Sequence, residues 1–70
     1  MYILTQDSEA IYEITGYEYI AVTEDGKVVL GNIQYTYALG QYKSLERAKE
    51  VVAEIFVMIG SVSKYEMPVI

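Results

Sequence analysis

The hydrophobic rhythm of this chain changes once, at Ser44, and that change constrains the fold more than any other feature. Before it, short runs of β-branched and aromatic residues alternate with polar ones, as strands do. After it, Leu45, Ala48, Val52, Ile55 and Ile59 recur at 3-4-3-4 spacing, which is one face of an α-helix. Ser44 supplies a side-chain oxygen for the first-turn N–H groups, and Glu46 lies where the helix dipole favours an acid. Arg47 fills the slot that a capping box gives to Glu or Gln, so half of the box is present. Val51, Phe56 and Met58 widen the apolar stripe, and Glu46, Lys49, Glu50 and Glu54 oppose it. Gly60 is a natural stop. The chain is therefore predicted to divide into a β-rich part (1–43), a helix (44–60) and a tail (61–70), within a single domain.

The β-rich part contains one strong turn signal. Asp25-Gly26 suits a two-residue hairpin, because both central positions of a type I′ turn need positive φ. That register pairs Glu24 with Lys27, Val22 with Val29 and Ile20 with Gly31. "KVVLGNI" is the returning strand. "YALGQY" reads as another, with Gly40 at a bulge or a close approach. In the tail, "YEM" suits a short edge strand that Pro68 prevents from lengthening. The expected fold class is α+β: an antiparallel β-meander of about four strands, with one C-terminal helix packed on one face.

"YEITGYEYI" is less determinate. A two-residue turn at Thr15-Gly16 would pair Glu13 with Glu18, Tyr12 with Tyr19 and Ile11 with Ile20. Ile11, Ile20, Val22, Val29 and Ile33 would then share the core face. Tyr12, Ile14, Tyr17, Tyr19, Ala21 and Leu30 would share the other. The opposed carboxylates cost about 0.2–1 kcal/mol. A three-residue loop with Gly16 left-handed removes that repulsion but mixes the faces. The two-residue register is favoured because it segregates the aliphatic residues.

Seventy residues provide only a small core, and chains of this size often lean on a disulfide, a metal or a partner. There is no cysteine and no histidine, which excludes disulfides, thiolate metal sites and imidazole chemistry. A second copy remains as a means of stabilisation. Val57 lies on the polar side of the helix and Met58 at the margin of its stripe, so "IFVMIG" is a candidate homodimer contact.

Catalytic signals are weak. Glu13 and Glu18 are the nearest carboxylate pair, and Asp7 and Glu9 are the nearest cation ligands; each reads more simply as solvated. Ser44, Ser61 and Ser63 have no histidine to activate them, and no motif depresses the pKa of Lys43, Lys49 or Lys64. No phosphate-binding glycine motif occurs. The expectation is a non-enzyme with no catalytic, cofactor or metal site. No apolar run approaches a membrane span and no signal peptide is visible, so the expected location is cytoplasmic.

Charge and tyrosine point toward a protein partner. The net charge is −5, and residues 1–26 hold six acids with no Lys or Arg. That excess disfavours direct nucleic-acid binding and favours a partner with a basic surface. Eight residues are Tyr, a side chain that offers a rigid apolar face with a polar tip. Tyr12, Glu13, Tyr17, Glu18 and Tyr19 are the candidate partner-binding residues, although each tyrosine alone also fits an ordinary half-buried strand position. Two other function classes fit the composition: a small-ligand or nucleotide sponge at a dimer interface, and a purely structural homodimer.

One segment carries a resemblance. "YALGQYKSLERAKEVVAEIF", with the opening "MYILTQD", resembles a group of small uncharacterised proteins of Gram-positive bacteria and their phages. In these a strand ending L-G-x-Y-x-S runs into an E-R-A-K-E-V helix, and the matching positions here are Leu39, Gly40, Tyr42, Ser44 and residues 46–51. The resemblance covers about half the chain and is structural. It implies an accessory protein of a phage or prophage. Such proteins are often inhibitors of a host system, anti-CRISPR proteins among them.

Overall fold

A computed structural model describes all residues, 1–70. It contains β1 (Tyr2–Leu4), β2 (Ile11–Glu13), β3 (Tyr19–Val22), β4 (Lys27–Gly31), β5 (Thr36–Gln41), α1 (Leu45–Met58) and β6 (Lys64–Glu66). The α+β class with one helix packed on the sheets is the expected one. The meander is β3-β4-β5, and the remaining strands form a second sheet, β2-β1-β6.

The second sheet overturns the expected hairpin over residues 11–20. β2 pairs with β1, not with β3: Tyr2 lies opposite Glu13, Ile3 opposite Tyr12 and Leu4 opposite Ile11. The reason lies in "TQDSEA". The Asp7 carboxylate accepts from the Thr5 hydroxyl (2.7 Å) and the Glu9 N–H (3.0 Å), while Thr5 Oγ1 accepts from the Ala10 N–H (3.1 Å). Backbone bonds from Thr5 to Ala10 and from Ser8 to Thr5 close the loop, with Ser8 at φ +62°. This loop satisfies its own polar groups, so β1 and β2 pair across it. Neither register considered at Thr15-Gly16 forms.

The Asp25-Gly26 turn exists, but its loop has three residues. The Thr23 N–H donates to the Lys27 carbonyl (3.0 Å) and the Gly26 N–H to the Thr23 carbonyl (3.0 Å). Gly26, at φ +89°, supplies the left-handed residue that ends such a loop. Ile20 therefore lies opposite Leu30, and Val22 opposite Val28. One residue of slip exchanges the faces of β4. Leu30, expected outside, is 3% exposed in the core, whereas Ile33, expected inside, is fully exposed. Ile11, also expected inside, is 67% exposed on the solvent face of its sheet. Lys27 approaches Asp25 (3.9 Å) in place of Glu24.

The core lies between the inner faces of the two sheets and the helix. Ile3 and Tyr65 come from β1 and β6, Val28, Leu30 and Leu39 from β4 and β5, and Ala48, Val51 and Ile55 from α1. Ser44 caps the helix by accepting from the Arg47 N–H (3.1 Å). After Met58 the chain makes a type II turn: Ile59 is extended, Gly60 has φ +83°, and the Ser61 N–H donates to the Met58 carbonyl (2.9 Å). That turn sends the chain back, and β6 lies parallel to β1 at the sheet edge, with Tyr65 opposite Ile3. The stripe reading fails at Phe56, which is 80% exposed. Its place on α1 is turned away from Ala48, Val51 and Ile55, which fill the contact with the sheets.

Gln6 joins the parts. Its N–H donates to the Leu39 carbonyl (2.9 Å), its side-chain oxygen accepts from the Gln41 N–H (2.8 Å), and its amide donates to the Val69 carbonyl (2.9 Å). Gly40 permits this approach, since a Cβ there would stand 3.2 Å from the Gln6 Cβ. Opposite β4, the strand also carries one extra residue, Leu39, between the Ala38 and Gly40 pairings.

Candidate functional site

The five sequence-predicted residues separate into two groups. Tyr12 and Glu13 belong to β2, while Tyr17 and Glu18 lie on the turn into β3 and Tyr19 opens that strand. Tyr12 shares the inward side of its sheet with Ile3, and its ring stacks on Tyr37 from β5 at 4.8 Å between centroids. Tyr37 in turn meets Tyr35 at 4.8 Å. These rings bridge the two sheets, so Tyr12 works in the packing of the fold. Glu13 lies on the opposite side of β2, with Tyr2 across from it, and is exposed.

Tyr17, Glu18 and Tyr19 remain together. With Gly16, Asn32 and Ile33 they line a shallow depression of about 250 Å³ at one end of β3 and β4. Gly16, at φ +102°, turns the chain, and no atom outside its own neighbours approaches within 4 Å of where its Cβ would stand. The turn is held by Glu18, whose carboxylate accepts from the Thr15 N–H (2.8 Å) and the Thr15 hydroxyl (2.9 Å). Those two donors, the backbone one foremost, hold the Glu18 carboxyl below its usual pKa. Glu18 is therefore charged and fixed in direction at neutral pH, without any opposed Glu13.

Tyr19 adopts a specific position. It lies opposite Gly31, and a Cβ on Gly31 would stand 2.6 Å from the Tyr19 ring. Its hydroxyl reaches Thr36 Oγ1 (3.3 Å), so the side chain crosses β4 to β5 on the face away from the helix. Tyr17 makes no such contact and is 88% exposed, beside the fully exposed Ile33.

The other side of Glu18 is also apolar. Glu18 lines a groove of about 180 Å³ with Ile14, Ile20, Val52, Phe56 and Ile59, between β3 and the second half of α1. Tyr17 and Ile33 on one flank, and Phe56 and Ile59 on the other, thus form one surface around a single oriented carboxylate. Ile14, Ile33, Phe56 and Ile59 are not among the five residues that the sequence pointed to, although Ile14 was placed on the tyrosine face and Phe56 and Ile59 lie within "IFVMIG". The signal for that end of the helix was Val57 and Met58 lying off the core stripe, which marked "IFVMIG", Phe56 and Ile59 included, as a candidate homodimer contact.

A second uncovered patch lies on the outer face of β2-β1-β6. Tyr2, Leu4 and Ile11 line it with Lys64 and Glu66, in a concavity of about 460 Å³. Its rim mixes charges of both signs, so it lacks the uniform acidity of the Glu18 surface. Elsewhere, Tyr65 donates to Glu54 Oε1 (2.6 Å), and Arg47 lies over the Tyr42 ring (5.8 Å) while donating to the main-chain oxygen of Ile70 (2.8 Å). These contacts anchor the tail to the helix. No helix is long and apolar enough to cross a membrane. The chain matches no protein-family model, no curated protein and no solved structure.

Proposed function

We propose that this chain is a non-enzymatic protein-binding module that engages a basic partner through the surface around Glu18. In this reading it is an accessory protein of a phage or other mobile element, and its partner is a host factor that handles nucleic acid. The observation that carries the reading is the exposure of Tyr17, Ile33 and Phe56 on both sides of one oriented carboxylate. Large apolar side chains gathered in solvent are costly to leave uncovered and are the usual anchors of interfaces. The six acids of residues 1–26 add an attraction that steers a basic surface toward them.

The test is capture of partners on the immobilised protein, compared across variants. Tyr17→Ser and Phe56→Ser should each reduce capture at least tenfold, and binding should weaken steeply as salt rises. Tyr12→Ser, adjusted for any unfolded fraction, should leave capture unchanged. Equal capture by Tyr17→Ser, Phe56→Ser and the parent protein would remove this surface from the reading. Binding that is indifferent to salt would remove the basic partner.

A further inference from the structure

β3 is an edge strand with no partner on its outer side. The bond from the Thr23 N–H to the Lys27 carbonyl sets the phase of its pairing with β4. Alternate residues of an antiparallel strand bond to the same neighbour, so Tyr19, Ala21 and Thr23 face β4. The backbone N–H and C=O groups of Ile20 and Val22 face away from it, and neither residue takes part in a side-chain hydrogen bond or a bond to a loop.

The other sheet guards its edges. β2 carries Glu13, and β6 carries Lys64 and Glu66. Such charges are the ordinary defence against unwanted strand addition. β3 reads Tyr-Ile-Ala-Val, with no charge, proline or glycine. Beside its free edge runs the apolar groove of Ile14, Ile20, Val52, Phe56 and Ile59. Its two ends are acidic: Glu18 lies before it, and Glu24 and Asp25 after it. Lys27 approaches Asp25 (3.9 Å), and Glu24 has no ion-pair partner.

We infer that the free edge of β3 accepts an extended segment of the protein partner as an added strand. The segment is apolar at alternate positions and carries Lys or Arg at both ends. Its backbone pairs with Ile20 and Val22, one aliphatic side chain enters the groove beside Phe56, and its terminal cations meet Glu18 and Glu24. Strand addition takes affinity from backbone bonds and specificity from side-chain pockets. The flanking charge selects against a second copy of this chain. Antiparallel pairing of two β3 strands would bring the Glu18 end of one against the Glu24 end of the other, like charge to like. This inference rests on the protein-binding reading and narrows it to one mode of recognition.

The test uses the full chain and a synthetic peptide, Lys-Thr-Val-Thr-Val-Thr-Lys, followed by backbone amide NMR and hydrogen exchange. A matching peptide with Glu at both ends and one N-methylated at alternate backbone positions complete the set. The Lys-flanked peptide should slow exchange at Ile20 and Val22 at least fivefold and should bind at least tenfold more tightly than the Glu-flanked one. N-methylation should abolish that protection. Glu24→Lys, an exposed change at one end of the strand, should remove most of the preference between the two charged peptides, because Glu18 still faces the other end.

Equal affinity for the two charged peptides overturns the inference, as does absence of binding by the Lys-flanked peptide at millimolar concentration. Protection of Ile20 and Val22 by self-association, with sedimentation as a dimer, also overturns it by assigning the edge to a second copy. Binding that perturbs Tyr17 and Ile33 while leaving Ile20 and Val22 exchange unchanged overturns strand addition alone. The broader reading fails separately, when Tyr17→Ser and Phe56→Ser leave partner capture unaltered.

Discussion

Thr15-Gly16 and Asp25-Gly26 look alike in the sequence, each a polar residue and a glycine between two strand-like runs, yet they do different work. At Asp25-Gly26 the chain reverses and the flanking strands pair. At Thr15-Gly16 it leaves one sheet and enters the other. Both glycines have positive φ, and both turns are tied by a carboxylate: Asp25 accepts from the Thr23 hydroxyl, and Glu18 from Thr15. Turn chemistry therefore specifies that the chain bends. Which strands pair afterwards depends on what else is available to them, and β2 is already paired with β1 across a loop rich in its own hydrogen bonds.

The difference should appear most strongly on adding a methyl group at each glycine. A Cβ on Gly26 would stand 2.7 Å from the Tyr42 carbonyl oxygen, which is itself fixed by the chain entering the helix. Gly26→Ala thus meets both backbone strain and a collision, and should lose about 2 kcal/mol or more in urea unfolding. Gly16 has open space around it, so Gly16→Ala meets strain alone and should lose about 1 kcal/mol. Equal losses would contradict the distinction between a turn packed on the core and a turn exposed at the surface.

The tyrosines beside the two turns extend the comparison. Tyr12→Ser removes a ring stacked between the sheets and should cost about 1–2 kcal/mol of stability. Tyr17→Ser alters an exposed ring and should change stability by less than about 0.5 kcal/mol while weakening partner binding. A third substitution tests the loop that drew β2 to β1. Ser8 has φ +62°, a conformation that glycine adopts without a Cβ penalty. Ser8→Gly should raise the urea midpoint by the equivalent of about 0.5–1 kcal/mol.

The smallest effect is in pH. In the folded chain the hydroxyl of Thr23 holds the Asp25 carboxyl below its ordinary value, and the Thr15 N–H and hydroxyl hold that of Glu18 below its own. An unfolded chain then binds more protons than the folded one as pH falls through this range. The stabilisation is complete above the unfolded values and is lost as pH falls through the lower, folded ones. Carboxyl NMR titration should find both midpoints depressed, and Thr15→Ala should return that of Glu18 toward 4.5 without moving that of Asp25.

Much of the local structure was legible. Ser44 caps a helix because a hydroxyl at that position reaches the Arg47 N–H, and Gly60 marks the end because only one or two residues need be read to see it. A short strand was one of two readings of the tail, and β6 takes it; of the two readings of Gly40, a bulge or a close approach, the chain does both, with the extra residue beside it at Leu39. The candidate site was legible only in part. Tyr17, Glu18 and Tyr19 stay together because they are neighbours in the chain. Phe56 and Ile59 join them from nearly forty residues away, and no local pattern announces that.

What the sequence determined by itself is the kind of each element and where the chain must bend. Hydrophobic period, caps and turn residues act over one helical turn or a few strand positions, and such interactions need no distant partner. Tertiary structure decided which strands pair, by which register, and which faces close. A strand's period is two, so the one extra residue in the loop of residues 24–26 was enough to bring Leu30 with Val28 into the core under the helix and to turn Val29 to the opposite face of the sheet. Long-range contacts settle that choice: Ile3 beside Tyr65, Gln6 on Leu39, and the helix over β3 and β4. Their energies depend on residues far apart in the chain meeting in space, and so does the unguarded edge of β3.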